Sequence, residues 1–132
     1  INQKIEEFCK KQPKKYKVFK SLGQIKYLSA MKHVDLVIGN SSSGIIEAAS
    51  FKKPVANIGD RQKGRLKGKN VIDCNIETLY ESIKIALSDN FRNNLINLNN
   101  IYGVGSAADI IIGKLISEPI SVIKKFRNQP EE

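Results

Sequence analysis

The stretch DLVIGNSSSGIIEAASFKKPVANIG, residues 35–59, decides the fold expected for this chain. It begins with a short continuous apolar run of the kind that parallel sheets bury on both faces. A cluster of glycine and serine follows, then apolar residues at helical spacing over 43–53, and then a second apolar run that starts at Pro54. This order of strand, helix and strand predicts a right-handed crossover between two parallel strands, over 35–40 and 54–59.

The same alternation continues on both sides of this unit. Helical spacing predicts further helices and apolar runs predict further strands; the helices are expected over 1–11, 24–33, 76–89, 90–99 and 107–118, and the strands over 16–22 and 70–74. Strands that alternate with helices indicate an α/β fold, here a three-layer Rossmann-like domain with a parallel sheet. The sequence has no internal repeat and no low-complexity linker, so residues 1–132 are predicted to form one domain.

The composition indicates a basic globular chain with an anionic partner. The chain has 132 residues, of which 41% are hydrophobic and 27% charged, and its net charge is +9. No apolar run approaches the ~20 residues that a membrane span needs, so we expect no membrane contact and a cytoplasmic location. The basic residues are spread along the chain, and aromatic residues make up 7% with no Trp. A stacking platform for bases is therefore not evident, and nucleic acid is not the expected partner.

The cysteines and the histidine limit the chemistry that this chain can perform. Cys9 and Cys74 fall in different predicted elements without a CxxC pair, so we expect free thiols. His33 is the only histidine, which excludes a site with several histidine ligands, and no metal is expected. Because His33 ends a helical pattern, we interpret it as a helix C-terminal residue.

The polar cluster after the first apolar run is the main candidate for ligand binding. Ligands of parallel α/β sheets bind at the carboxyl ends of the strands, where the loops over 21–24, 39–44 and 59–68 are expected. The first amides of a helix have no partner within it, and they can bind a phosphate together with hydroxyls and a close glycine backbone. One serine would suffice as a helix cap. The surplus predicts a phosphate cradle of Ser41, Ser42, Ser43 and Gly44.

Two further groups are expected near this cradle. Glu47 is predicted on the first turn of the following helix, where it could accept hydrogen bonds from vicinal ribose hydroxyls; the alternative is a carboxylate that only complements the helix dipole. Arg61 and Arg65 lie in the polar loop after the next strand and could clamp phosphate or sugar. The alternative for that loop is a solvated segment without a ligand.

These residues resemble those of a known family. The pattern Asn-Ser-Ser-x-Gly-x-x-Glu over 40–47, the pattern Pro-Val-x-Asn-x-Gly-x-Arg-Gln-x-Gly-Arg over 54–65, and the segments GKNVIDC and IYGVGSAADII resemble the UDP-N-acetylglucosamine 2-epimerases. The resemblance is strongest to the hydrolysing branch of sialic acid and related nonulosonate synthesis. It covers nearly the whole chain, and its central motifs are specific.

The resemblance implies a place for this chain in a larger enzyme. The family has a glycosyltransferase-B-like architecture of two domains, and this chain matches most of the C-terminal one, without its first strand. By resemblance, Ser41 and Ser42 bind the diphosphate, Glu47 the ribose and Arg61 the nucleotide region, while Leu22 and its neighbours contact uracil through the backbone. The intact enzyme is expected to be a homo-oligomer that binds UDP or a UDP-sugar.

The reaction implied is loss of the C2 proton of UDP-N-acetylglucosamine, elimination of UDP to a 2-acetamidoglucal, and addition of water to give N-acetylmannosamine. The catalytic carboxylates of the family belong to the N-terminal domain, so no catalytic residue, and no cofactor, is expected in this chain, and the chain alone is expected to be inactive. Three alternatives remain: the donor-binding half of a glycosyltransferase, an epimerase of UDP- or GDP-diacetamido-trideoxy sugars on the legionaminic acid route, and a nucleic-acid-binding module.

Overall fold

The computed structural model describes residues 2–118 of the chain, and this part contains six α-helices and a three-stranded sheet. The helices are α1 Asn2–Lys11, α2 Gly23–His33, α3 Ser42–Ile46, α4 Leu79–Leu87, α5 Asp89–Asn94 and α6 Ala107–Ser117. The strands are β1 Val37–Gly39, β2 Val55–Ile58 and β3 Val71–Cys74, and a 3-10 helix spans Ala48–Phe51. The α/β fold predicted from the sequence is confirmed.

The sheet is parallel, with β2 between β1 and β3. Val55 lies opposite Val37 on one side and opposite Val71 on the other, so all three strands run in register. The first three residues of β2 are buried, as expected for a central strand. Met31 and Ala48 pack with Val55 in the core, which joins α2 and the 3-10 helix to the sheet.

The strand predicted over 16–22 is wrong. Residues 16–19 form no regular element, and their side chains are largely in water, with Val18 45% and Phe19 63% exposed. A strand forms only when its backbone amides and carbonyls pair with a neighbouring strand. Among residues 2–118, β1 pairs with β2 alone, and the predicted segment does not add to its other edge.

The helix predicted over 43–53 is also different in the structure. α3 ends at Ile46, and a 3-10 helix follows over Ala48–Phe51. The helical path ends at Lys52, whose φ of 56° is left-handed. The amides of Lys52 and Lys53 donate to the carbonyls of Ala49 and Ala48, which closes the helix end. Pro54 disfavours helix at the residue before it, so the chain must leave the helical path here.

The remaining predicted elements are present with shifted ends. α4 begins later than predicted because Asn75 and Thr78 form a turn in which each side chain accepts the other's backbone amide, at 2.8 and 3.1 Å. His33 is the last residue of α2, as its interpretation predicts. Cys9 and Cys74 are free thiols, also as predicted.

Gly44 allows α3 to pack closely against β2. A Cβ atom at this position would lie 3.1 Å from Cγ1 of Val55, whose side chain is only 2% exposed and cannot move aside easily. Packing therefore favours the small residue here, independently of any role in binding.

We expect Gly44→Ala to lower the free energy of unfolding by about 1–3 kcal/mol, because the added methyl overpacks the Val55 contact. Urea unfolding followed by circular dichroism measures the change. Gly113→Ala is the matched control: a Cβ there meets no atom within 4 Å, so stability should be unchanged or raised. Equal stability of the two variants would contradict the packing argument.

Candidate functional site

The carboxyl ends of β1 and β2 define the edge of the sheet at which the candidate site lies. Gly39 lies opposite Asn57, so the segments that follow the two strands start next to each other. The first is the serine turn, residues 40–44, and the second is the cationic loop, residues 59–68. The structure thus brings together the two segments to which the sequence assigned the diphosphate and the arginines.

The three serines of the turn have different partners. Ser41 is the N-cap of α3, and its hydroxyl accepts a 3.3 Å hydrogen bond from the amide of Ser43. The Ser43 hydroxyl lies 2.7 Å from the hydroxyl of Tyr27 on α2. Within residues 2–118, the side chain of Ser42 has no such partner. The capping role therefore holds for Ser41, and among the three serines the Ser42 hydroxyl has no protein partner within residues 2–118.

Glu47 lies beyond the last residue of α3, and its predicted position on the first turn is wrong. A rise of about 1.5 Å per residue places its Cα roughly 7–8 Å along the axis from that of Ser42. Its Oε2 atom is buried, and no donor reaches it from the described part of the chain. A buried carboxylate oxygen without a donor is costly, and such groups often mark ligand sites.

The cationic loop exposes its arginines and buries its glutamine. Arg61 and Arg65 are exposed, whereas Gln62 is only 3% exposed. The Gln62 Nε2 group donates a 2.8 Å hydrogen bond to the carbonyl of Asn40, which ties the loop to the serine turn. Positive φ angles at Gly59 (74°) and Gly64 (79°) allow the sharp turns of this loop.

A groove of about 530 Å³ lies at the start of α2, lined by residues 19–24 and Tyr27. Leu22 is half-buried there and is the N-cap residue of α2. Through the contact between Tyr27 and Ser43, this groove adjoins the serine turn. The groove that contains the loop predicted to contact a base is therefore linked to the turn predicted to bind a diphosphate by one hydrogen bond, between Tyr27 and Ser43.

A polar cluster joins β2, β3 and the cationic loop. Asp73 accepts a 2.7 Å hydrogen bond from Asn57 and two from Lys67, at 2.9 and 2.7 Å. Burial by itself raises the pKa of Asp73, but the hydrogen bonds from Lys67 and Asn57, together with the Lys67 charge, hold that pKa below its ordinary value of 3.8. The cluster fixes the end of the loop where it enters β3.

Sequence reasoning did not assign roles to Tyr27, Gln62 or Asp73. Gln62 stands inside the Arg-Gln motif, which was the only signal for it. Tyr27 falls within the amphipathic pattern of α2, where nothing distinguishes its hydroxyl from that of a surface tyrosine. Each of these three groups acts across a long sequence separation, which local patterns do not report.

Comparison with known proteins identifies the family of this chain. The family described as UDP-N-acetylglucosamine 2-epimerase matches residues 1–116. The chain belongs to the UDP-N-acetylglucosamine 2-epimerase family. The resemblance found in its sequence motifs is therefore confirmed at the level of the family. Among residues 2–118, no helix of this family member is long and apolar enough to cross a bilayer.

Three curated relatives of this epimerase-family chain differ in the functions that their names give. A Campylobacter jejuni protein named GDP/UDP-N,N'-diacetylbacillosamine 2-epimerase (hydrolyzing) is 48% identical over 71% of the chain and 24% of its own length. The Escherichia coli polysialic acid biosynthesis protein P7 is 36% identical over 99% of the chain and 34% of its length. A Neisseria meningitidis UDP-N-acetylglucosamine 2-epimerase is 35% identical over 64% of the chain and 23% of its length. The matched part of the chain thus spans about a quarter to a third of the length of these relatives.

The Asp73 cluster makes the stability of this epimerase-family chain depend on pH. Because the folded-state pKa of Asp73 is lowered, its contribution is present above the unfolded-state pKa and is lost as the pH falls through the folded-state pKa, below about 4. The free energy of unfolding should therefore differ more between wild type and Asp73→Asn at pH 7 than at pH 3, measured by urea unfolding. Asp109→Asn, on the exposed α6, is the control. If the difference in the free energy of unfolding between wild type and Asp73→Asn is as large at pH 3 as at pH 7, the stabilising role of the ionised Asp73 carboxylate is contradicted.

Proposed function

We propose that this chain is the nucleotide-binding part of a hydrolysing UDP-sugar 2-epimerase. The observation that carries the proposal is the Oε2 atom of Glu47, which is buried and receives no hydrogen bond from residues 2–118, about one and a half helical turns from Ser42. Ribose presents two vicinal hydroxyls, and each can donate to a carboxylate. A ligand whose ribose reaches Glu47 while its phosphates reach Ser42 satisfies both groups.

Several groups support a diphosphate at the serine turn. The Ser41 hydroxyl accepts the Ser43 amide but retains its own proton to donate, and the Ser42 hydroxyl has no other partner within residues 2–118. Arg61 and Arg65 are exposed on the adjacent loop, which the Gln62 hydrogen bond holds against the turn. Charge-assisted hydrogen bonds from such groups are among the stronger polar contacts in proteins.

The groove at residues 19–24 is the candidate base site. Its walls include Phe19 and Tyr27, which offer aromatic surface to a pyrimidine, while the backbone around Leu22 offers polar groups. The groove, Glu47 and the serine turn together favour a nucleoside diphosphate that binds across the start of α3, with its ribose between the base and the phosphates. The proposed partner is UDP or a UDP-sugar, and the proposed setting is a cytoplasmic homo-oligomer of the intact enzyme.

In the proposed reaction, a base removes the C2 proton of the sugar, and the bond between C1 and the diphosphate oxygen breaks to release UDP as a C1–C2 double bond forms. Water then adds across this double bond, with its hydroxyl at C1 and a proton at C2 on the face opposite to the one that lost its proton. Charge develops on the leaving diphosphate in this elimination. Ser41, Ser42 and the amides of the serine turn would stabilise that charge, with Arg61 and Arg65 nearby. The proton transfers need carboxylates that we assign to a part of the enzyme outside residues 1–132.

Two nucleotide-sugars are candidates for the substrate. The first is UDP-N-acetylglucosamine, with N-acetylmannosamine as product for sialic acid synthesis. The second is a UDP- or GDP-diacetamido-trideoxy sugar, favoured by the 48% identity to a protein named for diacetylbacillosamine. The serine turn and Glu47 contact the nucleotide part that both substrates share. Membership of an epimerase family favours either substrate over a glycosyltransferase donor site.

We expect Glu47→Gln to weaken UDP binding about tenfold, because one ribose hydrogen bond to a charged acceptor is lost. Calorimetric titration of wild type and variant with UDP and with 2′-deoxy-UDP measures the effect. The loss should be smaller for the deoxy ligand, which lacks one hydroxyl. Glu77→Gln, an exposed carboxylate beyond β3, is the control and should bind as wild type. Equal losses for the two ligands would overturn the ribose assignment.

We expect residues 1–132 alone to produce no free sugar from UDP-N-acetylglucosamine or its diacetamido-trideoxy analogue, because this chain supplies groups for the leaving diphosphate and none for the proton transfers. Chromatographic detection of the released sugar tests this directly. Turnover by the purified chain would show that the proton-transferring groups lie within these residues.

A further inference from the structure

The cationic loop buries a polar side chain and exposes an apolar one. Gln62 is 3% exposed, whereas Leu66, four residues later in the same loop, is 76% exposed. In a solvated loop without a function, the leucine is the side chain expected to turn inward. This inversion indicates that the burial of Gln62 serves a contact rather than hydrophobic packing.

That contact reaches across to the neighbouring strand end. The Gln62 Nε2 group donates to the carbonyl of Asn40, the residue immediately before the N-cap Ser41, at 2.8 Å. The Oε1 atom of the same amide is buried, and no donor from residues 2–118 reaches it. The burial of Gln62 therefore desolvates its Oε1 acceptor, and its Nε2 group gains one hydrogen bond to the carbonyl of Asn40.

Other contacts restrain the far end of the same loop. The Tyr102 hydroxyl donates to the carbonyl of Leu66 at 2.8 Å, and Lys67 forms an ion pair with Asp73 at 2.7 Å. The loop is thus held near its start by Gln62 and near its end by Tyr102 and Lys67. Arg65 lies between these points and Arg61 adjoins the first of them, and both arginine side chains are exposed.

We propose that Gln62 is a positioning residue for the diphosphate. Its hydrogen bond to Asn40 sets the distance between the cationic loop and the serine turn. As a result, Arg61 acts on the same phosphates as Ser41 and Ser42. The proposal rests on the proposed function and deepens it, because it assigns a role to a side chain that itself contacts no ligand. Since Arg61 adjoins Gln62 in the chain, release of the amide frees the backbone that carries the guanidinium. The loop must then become ordered when the ligand binds rather than when the protein folds, and the conformational entropy lost in that step lowers the affinity for the ligand.

The test compares the wild-type and Gln62→Met forms of the natural full-length protein. The substitution keeps the length of the side chain but removes its polar atoms. UDP and uridine are the probes, titrated by calorimetry or by NMR. We expect UDP to bind about tenfold more weakly to Gln62→Met, with uridine unchanged, because the loop acts on the diphosphate alone. Gln12→Met, the same change at an exposed position, is the matched control and should leave both affinities unchanged.

A double-mutant cycle with Arg61→Ala separates positioning from a general structural role. Arg61→Ala should cost several-fold less UDP affinity in the Gln62→Met background than in wild type, because the arginine is already displaced there. Circular dichroism checks that the variants fold. If Gln62→Met does not fold, Gln62→Asn, whose shorter amide does not reach Asn40, takes its place in the same measurements.

The possible results are distinct. Unchanged UDP affinity of the variant would overturn the positioning role while the proposed function stands. Equal weakening of UDP and uridine, or an equal cost of Arg61→Ala in both backgrounds, would reduce Gln62 to a structural residue and also overturn the proposal. Failure of wild type to bind UDP at all would overturn the proposed function, and the positioning role with it.

Discussion

The parallel pairing of β1 with β2 is the constraint on which the candidate site depends. Because Gly39 lies opposite Asn57, the serine turn and the cationic loop leave the sheet side by side. In this register the Gln62 amide reaches the carbonyl of Asn40. A slip by one residue would turn every side chain of β2 to the other face and would carry Val55 away from Gly44.

Several hydrogen-bonding groups of the candidate site lack a protein partner within residues 2–118, and their types indicate the chemistry of the proposed ligand. Within residues 2–118, the buried Oε2 atom of Glu47 has no donor, while the Ser42 hydroxyl and the exposed Arg61 and Arg65 have no acceptor. A nucleoside diphosphate carries hydroxyl donors at its ribose and anionic acceptors at its phosphates. Such a ligand would complete both sets of contacts at once, and the net charge of +9 would favour its approach. The same contacts would be strongest when the diphosphate departs with its full charge.

Local sequence pattern predicts the sheet well and the site in part. The runs over 35–40, 54–59 and 70–74 contain the three observed strands. The buried β2 fits the continuous apolar signal best, whereas Ile38 of β1 is 49% exposed and β3 is buried only at Cys74. The segment 16–22 has a similar composition, but a strand also needs a partner, which no local pattern reports. The surplus of serines identified the turn, whereas the burial of Gln62 depends on a contact between segments that are distant in sequence.

The central claim is that UDP binds across the serine turn with its ribose at Glu47. The most direct measurement is a two-dimensional nitrogen–proton NMR titration of the 132-residue chain with UDP. The account predicts that the largest shifts fall on the backbone amides of Ser42, Gly44, Glu47 and Gln62, while the amides of α6 stay in place. A titration that leaves the serine turn unperturbed, or that shifts only the lysine-rich end of α1, would contradict the account.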